Sequence, residues 1–194
     1  MTYEVGDKVV YPHHGAGAVI KKEHRDESGL KREYLTIQIL HNSMTVIVPV
    51  DSAKGAGLRK VIGETDVNDV IEVLRQAETE MPKNWNHRLR YNREKLRSGA
   101  IFEVADVVRN LSLHEQEKRL SVGDKQLFDR AKKILASELM YARGLDEKEA
   151  DRFLDGILKE IGGRAGSKIM DDESLKQSAA HTGEPPKIPT GSVT

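Results

Sequence analysis

The residues best suited to chemistry in this sequence lie between Lys83 and Arg97, where cations surround the single tryptophan, Trp85. Cationic side chains neutralise phosphates, and a flat apolar ring can stack on bases or wedge between them. The segment therefore predicts nucleic-acid binding and gives no indication of catalysis. Its cations are Lys83, Arg88, Arg90, Arg93, Lys95 and Arg97, with Glu94 as the only acid among them.

The charge of the chain is unevenly distributed although its sum is zero. Residues 83–133 carry 13 Lys and Arg against 7 Asp and Glu, whereas residues 1–82 carry 10 against 13 and residues 134–194 carry 8 against 11. A local excess of positive charge predicts one anionic partner surface, while a uniformly basic chain would predict coating of nucleic acid.

Several classes of protein are excluded or disfavoured by what the sequence lacks. It has no cysteine, so disulfides and thiolate chemistry are excluded, and we expect no metal, cofactor or small-molecule substrate. His13 and His14 have no further ligands at metal-binding spacing, and Gly15-Ala-Gly17 lacks the rest of a phosphate loop. We expect no enzyme activity. Without a signal peptide or a long apolar run, we expect a cytoplasmic, nucleoid-associated protein with no membrane partner.

The elements that must position the basic segment fall into two kinds. Residues 1–62 predict short antiparallel strands, because apolar residues alternate with polar ones in residues 34–40 and residues 45–50 form a β-branched run. Four or five such strands in so short a stretch are typical of a small Tudor-like or SH3-like β-barrel.

Residues 63–161 predict five amphipathic helices and a compact all-helical domain, so the fold class is α+β. The predicted helix caps are Thr65, Ser121 and Asp146. Another helix is predicted to run from about Asn84 to Arg97, and Gly99 and Gly144 are predicted to follow the ends of two helices. From residue 162 the apolar stripe disappears, and we expect residues 162–194 to form a disordered tail.

Each of three sequence features allows two interpretations. Trp85 is either a DNA-contacting ring at a helix start or a core anchor beneath a solvated charged face. The basic residues Lys125, Arg130, Lys132 and Lys133 are either ordinary surface or a second phosphate-contacting helix. The strand at residues 45–50 is either an edge available for strand pairing, with Ile47 outward, or a routine edge covered by a loop.

Four blocks that occur in one order along the chain carry a family resemblance. They are residues 5–17, 45–49, 84–85 and 120–125, which read VGDKVVYPHHGAG, TVIVP, NW and LSVGDK. In this order and spacing they resemble the CarD/CdnL family of bacterial transcription regulators over residues 1–160. The first block is also similar to the polymerase-binding module of the transcription-repair coupling factor.

The resemblance implies that residues 1–62 bind the β subunit of RNA polymerase by strand pairing. It also implies that the helical domain contacts promoter DNA at the upstream edge of the bubble, with weak sequence specificity, and that Trp85 wedges into the minor groove there. The implied DNA contacts besides Trp85 are Arg88, Arg90, Lys125 and Arg130. The implied polymerase contacts are Arg25, Thr45, Val46, Ile47, Val48 and Pro49.

Two positions depart from the family pattern. Position 47 is often Arg in actinobacterial members and is Ile here, which removes a charge-assisted contact with polymerase. Position 87 is basic in some relatives and is His here. The resemblance favours a regulator that stabilises the promoter open complex. The alternatives are a structural DNA-binding protein that acts without polymerase and a protein–protein adaptor without DNA contact.

Overall fold

The computed structural model describes residues 2–27, 30–41 and 43–180, with the backbone alone for Glu27 and residues 164–180. The fold is α+β, with strands followed by helices, as predicted. The strands are β1 (Lys8–Tyr11), β2 (Gly15–Glu27), β3 (Leu30–Ile39), β4 (Thr45–Pro49) and β5 (Arg59–Lys60). The helices are α1 (Val50–Ala53), α2 (Glu64–Arg75), α3 (Trp85–Ser98), α4 (Ile101–Glu117), α5 (Val122–Arg143) and α6 (Glu147–Ala180).

Two separate apolar clusters organise the chain. One lies on the sheet, and the other is formed by the inward faces of α2 to α6. We call the part up to residue 62 the β module and residues 63–161 the helical domain.

The β module is an antiparallel sheet with the strand order β4-β3-β2-β1-β5. The prediction of a barrel is corrected here, because the sheet formed by the described strands is open and its edges, β4 and β5, do not pair with each other. The physical reason is strand length. β5 has two residues and pairs with β1 at Val9 and Val10, which is too short a strand to close the sheet onto β4.

The apolar face of the sheet follows the predicted alternation along β3. Leu35, Ile37 and Ile39 are fully buried, whereas Gln38 is exposed. Thr36, which was expected on the polar face, is also buried. β4 lies beside β3 with Val48 buried and Ile47 outward, so the predicted inward and outward faces of β4 are confirmed.

Two helices start at the predicted capping residues, Ser121 and Asp146, and α3 starts directly after Asn84, close to its predicted start. The side chains of Asn84 and Ser121 accept hydrogen bonds from backbone N–H groups in the first turns of α3 and α5. Before α6, Asp146 Oδ1 accepts from Glu149 N at 2.7 Å, and Glu149 Oε2 accepts from Asp146 N at 2.9 Å. This reciprocal pair satisfies two N–H groups that the helix itself leaves unpaired.

The cap of α2 was predicted wrongly. The helix begins at Glu64 with Gly63 as the capping residue, two positions before the predicted Thr65. The Asp66 carboxylate accepts a hydrogen bond from Gly63 N, so the acid supplies the cap from inside the first turn. At the other helix ends, Gly99 and Gly144 adopt positive φ of 69° and 64°, as a left-handed helix terminus requires.

Helix α6 differs from the expected tail. Its backbone is helical to Ala180, beyond residue 161, where the apolar stripe ends. Backbone hydrogen bonds need no apolar stripe to continue, and the next proline is Pro185. The prediction for residues 181–194 lies outside the described residues. Of the helices in the described residues, none combines the length and apolarity needed to cross a lipid bilayer.

Helix α5 connects the helical domain to the β module. Glu138 on α5 is fully buried, and its two carboxylate oxygens accept from Arg59 Nη1 at 2.5 Å and Arg59 Nη2 at 2.8 Å. The same carboxylate accepts from Ile62 N at 3.1 Å. The adjacent Ser137 Oγ accepts from Ala16 N at 2.9 Å. The two parts are therefore joined by directional, buried polar contacts and not by a flexible linker alone.

Candidate nucleic-acid interface

Trp85 is the first residue of α3, and its side chain is 44% exposed. The preceding Asn84 caps the helix, with its Oδ1 accepting from Asn86 N at 3.0 Å and from His87 N at 3.3 Å. This cap fixes where the helix begins and therefore where the indole leaves the surface. The ring is not enclosed by the helical core.

The N-terminus of α5 holds the indole in one orientation. Trp85 Nε1 donates to Ser121 Oγ at 2.7 Å. A Cβ added at Gly123 would lie 3.6 Å from Trp85 Cζ2, so the six-membered part of the ring passes close to this glycine backbone. Val122, between Ser121 and Gly123 in the chain, is 78% exposed. One edge of the indole is supported by protein while the rest of the ring remains accessible.

A chain of hydrogen bonds continues from the indole into the domain. Ser121 Oγ donates to Asp124 Oδ2 at 2.9 Å, and the same oxygen of Asp124 accepts from Arg88 Nη2 at 2.9 Å. The Arg88 side chain is 12% exposed and that of Asp124 is fully buried. The structure thus places Arg88, which the family resemblance assigns to DNA, in a buried ion pair that fixes the support of Trp85.

Other predicted DNA contacts are accessible. Arg90 and Arg130 are exposed, and within the described residues no hydrogen bond or ion pair engages either guanidinium. Lys125 lies one turn into α5, is 47% exposed, and donates to Glu115 Oε1 at 3.0 Å. That hydrogen bond to Glu115 raises the pKa of Lys125, so the ammonium is charged throughout the physiological range. Among these three cations, Arg90 and Arg130 have guanidinium groups without a partner in the described residues, whereas the Lys125 ammonium is already paired with Glu115.

A buried polar network fixes the segment that leads into Trp85. Arg109 on α4 is 1% exposed, and its guanidinium donates to Val73 O at 2.8 Å, to Thr79 Oγ1 at 3.1 Å and to Asp106. Asn110 Nδ2 donates to Thr79 Oγ1 at 2.7 Å. Thr79 belongs to the connection between α2 and α3. These bonds tie that connection to α4, which limits how far the start of α3 can move.

Lys95 joins the same network and is not part of an open basic face. Its ammonium contacts Asp106 and lies 3.2 Å from Glu103 Oε2. Burial opposes the charged form, but hydrogen bonds to Asp106, Tyr91 and Glu103 outweigh it and raise the pKa of Lys95. Sequence reasoning missed this network. Its signal is the polar set Asp106, Arg109 and Asn110, which interrupts the apolar middle part of α4.

The residues that the resemblance assigns to polymerase lie at one edge of the β module. Thr45 and Ile47 of β4 point outward, with Ile47 46% exposed, and Val46, Val48 and Pro49 are partly or fully buried. Arg25 on β2 donates to Glu23 Oε1 and lies 5.4 Å above the ring of Tyr34. Tyr34 is the register partner of Pro49, so Arg25 and the end of β4 share one region of the sheet.

The part of the chain that the structure describes contains no candidate metal site. There, no group of three or more His, Asp and Glu side chains is arranged to hold a metal ion.

The hydrogen bond between Trp85 and Ser121 can be tested by substitution. Ser121→Ala removes both the cap of α5 and the acceptor for the indole N–H, and we expect it to lower the free energy of unfolding by about 1 kcal/mol. The indole should also move more freely, which lowers the fluorescence anisotropy of the only tryptophan. Urea titration and steady-state anisotropy measure the two effects.

Ser98→Ala is the matched control, because Ser98 lies at the other end of α3 and its hydroxyl donates to Lys95 O without contacting the indole. An anisotropy that is the same in Ser121→Ala and in the unaltered protein would contradict the assigned support of the ring.

Comparison with known proteins matches two parts of this chain to described families. Residues 3–62 match the CarD-like/TRCF RID domain, and residues 69–155 match the CarD C-terminal domain. A Bacillus subtilis (strain 168) protein, the transcription factor candidate YdeB, is 30% identical over 151 residues, which are 78% of this chain and 99% of that protein. The solved structure of CdnLNt from Myxoccoccus xanthus is 34% identical, with a TM-score of 0.28, over 32% of this chain and 87% of that one.

Proposed function

Because the chain belongs to the CarD/CdnL family of transcription factors, we propose that it stabilises the promoter open complex of RNA polymerase. In this proposal the β module, residues 1–62, binds the β subunit of the polymerase. The helical domain, residues 63–161, contacts DNA at the upstream edge of the bubble.

The observation that carries the proposal is the position of Trp85. An indole that is 44% exposed at a helix start, with its N–H fixed by Ser121, is a rigid apolar ring prepared to meet another surface. The free guanidinium of Arg90 follows on the same helix, and Lys125 lies on the helix that supports the ring. Phosphates can be neutralised on either side while the ring enters an unstacked base step.

Arg88 has a different role in this proposal from Arg90 and Lys125. Its buried ion pair with Asp124 leads through Ser121 to the indole, so Arg88 positions the wedge instead of neutralising a phosphate. Arg130, further along α5, extends the basic surface toward the β module.

The mechanism is a population shift between closed and open promoter. A ligand changes such an equilibrium only through its differential affinity for the two states. An inserted ring must leave before the bases restack, so it slows collapse of the bubble. Stacking of an aromatic side chain on a base is worth about 1–3 kcal/mol, which corresponds to roughly tenfold or more in lifetime.

The open edge of the sheet supports the contact with polymerase. β4 pairs with β3 on one side only, and its outward Ile47 offers an apolar contact beside the unpaired backbone. An extended segment of the β subunit could add to this edge as a further strand. Arg25 lies near the end of the same strand and can contact acidic groups of the partner. Binding there raises the effective concentration of the helical domain at the promoter, so affinity for bare DNA need not be high.

Ile47→Glu tests the edge and the proposal together. We expect the unaltered protein to lengthen the lifetime of polymerase–promoter complexes challenged with a competitor. Ile47→Glu should abolish capture of the β subunit and shift the protein concentration needed for that effect upward by about tenfold or more, because a carboxylate would be buried beside a partner strand without a counter-charge.

Ile20→Glu is the matched control for this variant. Ile20 is an isoleucine of equal exposure, 47%, but it lies on the interior strand β2. Capture of the β subunit that survives Ile47→Glu would exclude the β4 edge. A protein that binds bare duplex tightly and leaves open-complex lifetime unchanged would favour the structural DNA-binding alternative.

A further inference from the structure

A cleft of about 700 Å³ lies where the β module meets α5. Three histidines line it from the β module: His13 and His14 in the turn between β1 and β2, and His41 in the turn between β3 and β4. Arg130 and Lys133 line it from α5. Neither the assigned wedge nor the polymerase edge uses these histidines.

The cleft holds positive charge without a matching anion. Arg130 and Lys133 are exposed, and in residues 2–27, 30–41 and 43–180 no hydrogen bond or ion pair engages either of them. Asp129 is the one acid in the lining, and its Oδ1 lies 3.7 Å from Lys125 Nζ, a cation outside the cleft. Cations gathered in a concave site without counter-charges favour an anionic ligand.

The histidine rings add polar groups to the same cavity. His41 Nδ1 is closed to solvent, so a ligand in the cleft meets this ring through its other nitrogen, Nε2. His14 is held by stacking on Tyr11, with ring centroids 5.5 Å apart, and His13 adopts a positive φ of 68°.

We propose that this cleft binds a phosphate group, with Arg130 and Lys133 as its cations and the imidazoles of His13, His14 and His41 as hydrogen-bond donors. The phosphate can belong to a DNA backbone or to a free phosphorylated molecule. Geometry favours DNA, in which case the inference rests on the proposed function. Trp85 contacts α5 near Gly123, and Lys133 lies about 15 Å further along that helix, which corresponds to about four base pairs of duplex.

The site should respond to pH. Burial lowers the pKa of all three histidines, and nearby cations lower it further: Arg130 and Arg97 act on His13, Arg130 acts on His14, and Lys133 acts on His41. His14 lowers the pKa of His13 and of His41 in the same way, whereas Glu147 of α6 raises the pKa of His41. The empty cleft therefore holds mainly neutral rings near neutral pH.

The sign of the linkage follows from this state. A bound anion raises the pKa of each ring, so binding takes up protons and affinity must increase as pH falls below the ordinary histidine pKa of 6.5. Without an anion, the lowered pKa values make the folded protein less stable in acid. The contribution of these three histidines to the free energy of unfolding is highest above pH 6.5 and declines as pH falls through the lowered values.

The test is a titration of the full chain with sulfate, a phosphate mimic whose charge does not change in this pH range, at constant ionic strength. Histidine ring signals in NMR report binding at each position. We expect saturable shifts at His13, His14 and His41, none at His87 or His114, and several-fold weaker affinity at mildly alkaline than at mildly acidic pH.

The double variant Arg130→Gln/Lys133→Gln should lose saturable binding, whereas Lys148→Gln/Arg152→Gln, an equal loss of charge on α6, should keep it. Absence of saturable shifts at the three rings, or equal loss in both double variants, would overturn the site. Sulfate binding should persist in Trp85→Ala. A result that contradicts insertion of Trp85 into DNA therefore leaves the proposed phosphate site untouched.

A forked DNA duplex identifies the source of the phosphate. If the DNA backbone occupies the cleft, Arg130→Gln/Lys133→Gln reduces the slope of log affinity against log salt by about two. An unchanged slope, together with sulfate binding in the unaltered protein, would assign the cleft to a free phosphorylated ligand.

Discussion

Trp85→Ala is expected to shorten the lifetime of the promoter open complex by about tenfold or more relative to the unaltered protein, while binding to the polymerase β subunit is retained. The ring is 44% exposed and does not belong to the buried apolar cluster, so its loss removes the proposed wedge without opening the core. The lifetime is measured as the decay of transcription-competent complexes after a competitor is added. Circular dichroism and capture of the β subunit are measured on the same preparation.

Phe102→Ala is the control matched to this variant. Phe102 is an aromatic residue with the same exposure, 44%, but it lies in the first turn of α4, which follows the other end of α3 from Trp85. If exposed aromatic surface alone mattered, the two variants would behave alike. Cooperative unfolding of Trp85→Ala at ambient temperature, or an unchanged lifetime, would contradict the wedge and favour an adaptor in which the ring supports the fold.

Glu138→Gln is expected to lower the free energy of unfolding by about 3 kcal/mol. The substitution removes the charge that accepts both Arg59 hydrogen bonds and weakens the acceptor for Ile62 N. Breaking a buried ion pair costs about 3–5 kcal/mol, and Arg59 remains 27% exposed, which places this pair near the lower limit. Urea unfolding followed by Trp85 fluorescence and by far-ultraviolet circular dichroism measures the loss.

Asp155→Asn is the matched control for the ion pair. Asp155 accepts from Lys132 Nζ at 2.8 Å but is 51% exposed, so its neutralisation should change stability by less than about 1 kcal/mol. The double variant Arg59→Met/Glu138→Leu should recover part of the loss, because it leaves no uncompensated charge. If Glu138→Gln and Asp155→Asn lower the free energy of unfolding equally, the contact between the β module and the helical domain does not depend on the pair of Arg59 and Glu138.

Local rules predicted the helical domain well because its boundaries depend on neighbouring residues. Asn84, Ser121 and Asp146 cap helices where the sequence places them, since a side-chain oxygen reaches N–H groups only two or three residues away. Gly99 and Gly144 end helices for an equally local reason, their access to positive φ. The outward face of β4 followed from its period of two.

The features that were not predicted depend on contacts between residues that are distant in the chain. The periodicity of the sequence carries no information about such contacts. Arg88 looks like one more cation of α3, and only the fold brings it to Asp124, 36 residues away. Glu138 looks like a surface acid in a helix, yet Arg59 lies 79 residues earlier in the chain. Whether the sheet closes depends on where the short β5 lies relative to β4, so the sequence supported a barrel as readily as an open sheet.

Helix α5 has a mechanical consequence. It touches the indole at Ser121 and is fastened to the β module at Ser137 and Glu138, 16 residues or about 24 Å later. The distance between the β module and the indole is therefore set by a helix of fixed length. Adding one residue to this helix would advance one end by about 1.5 Å and rotate it by about 100°, so reach and phase change together in fixed steps.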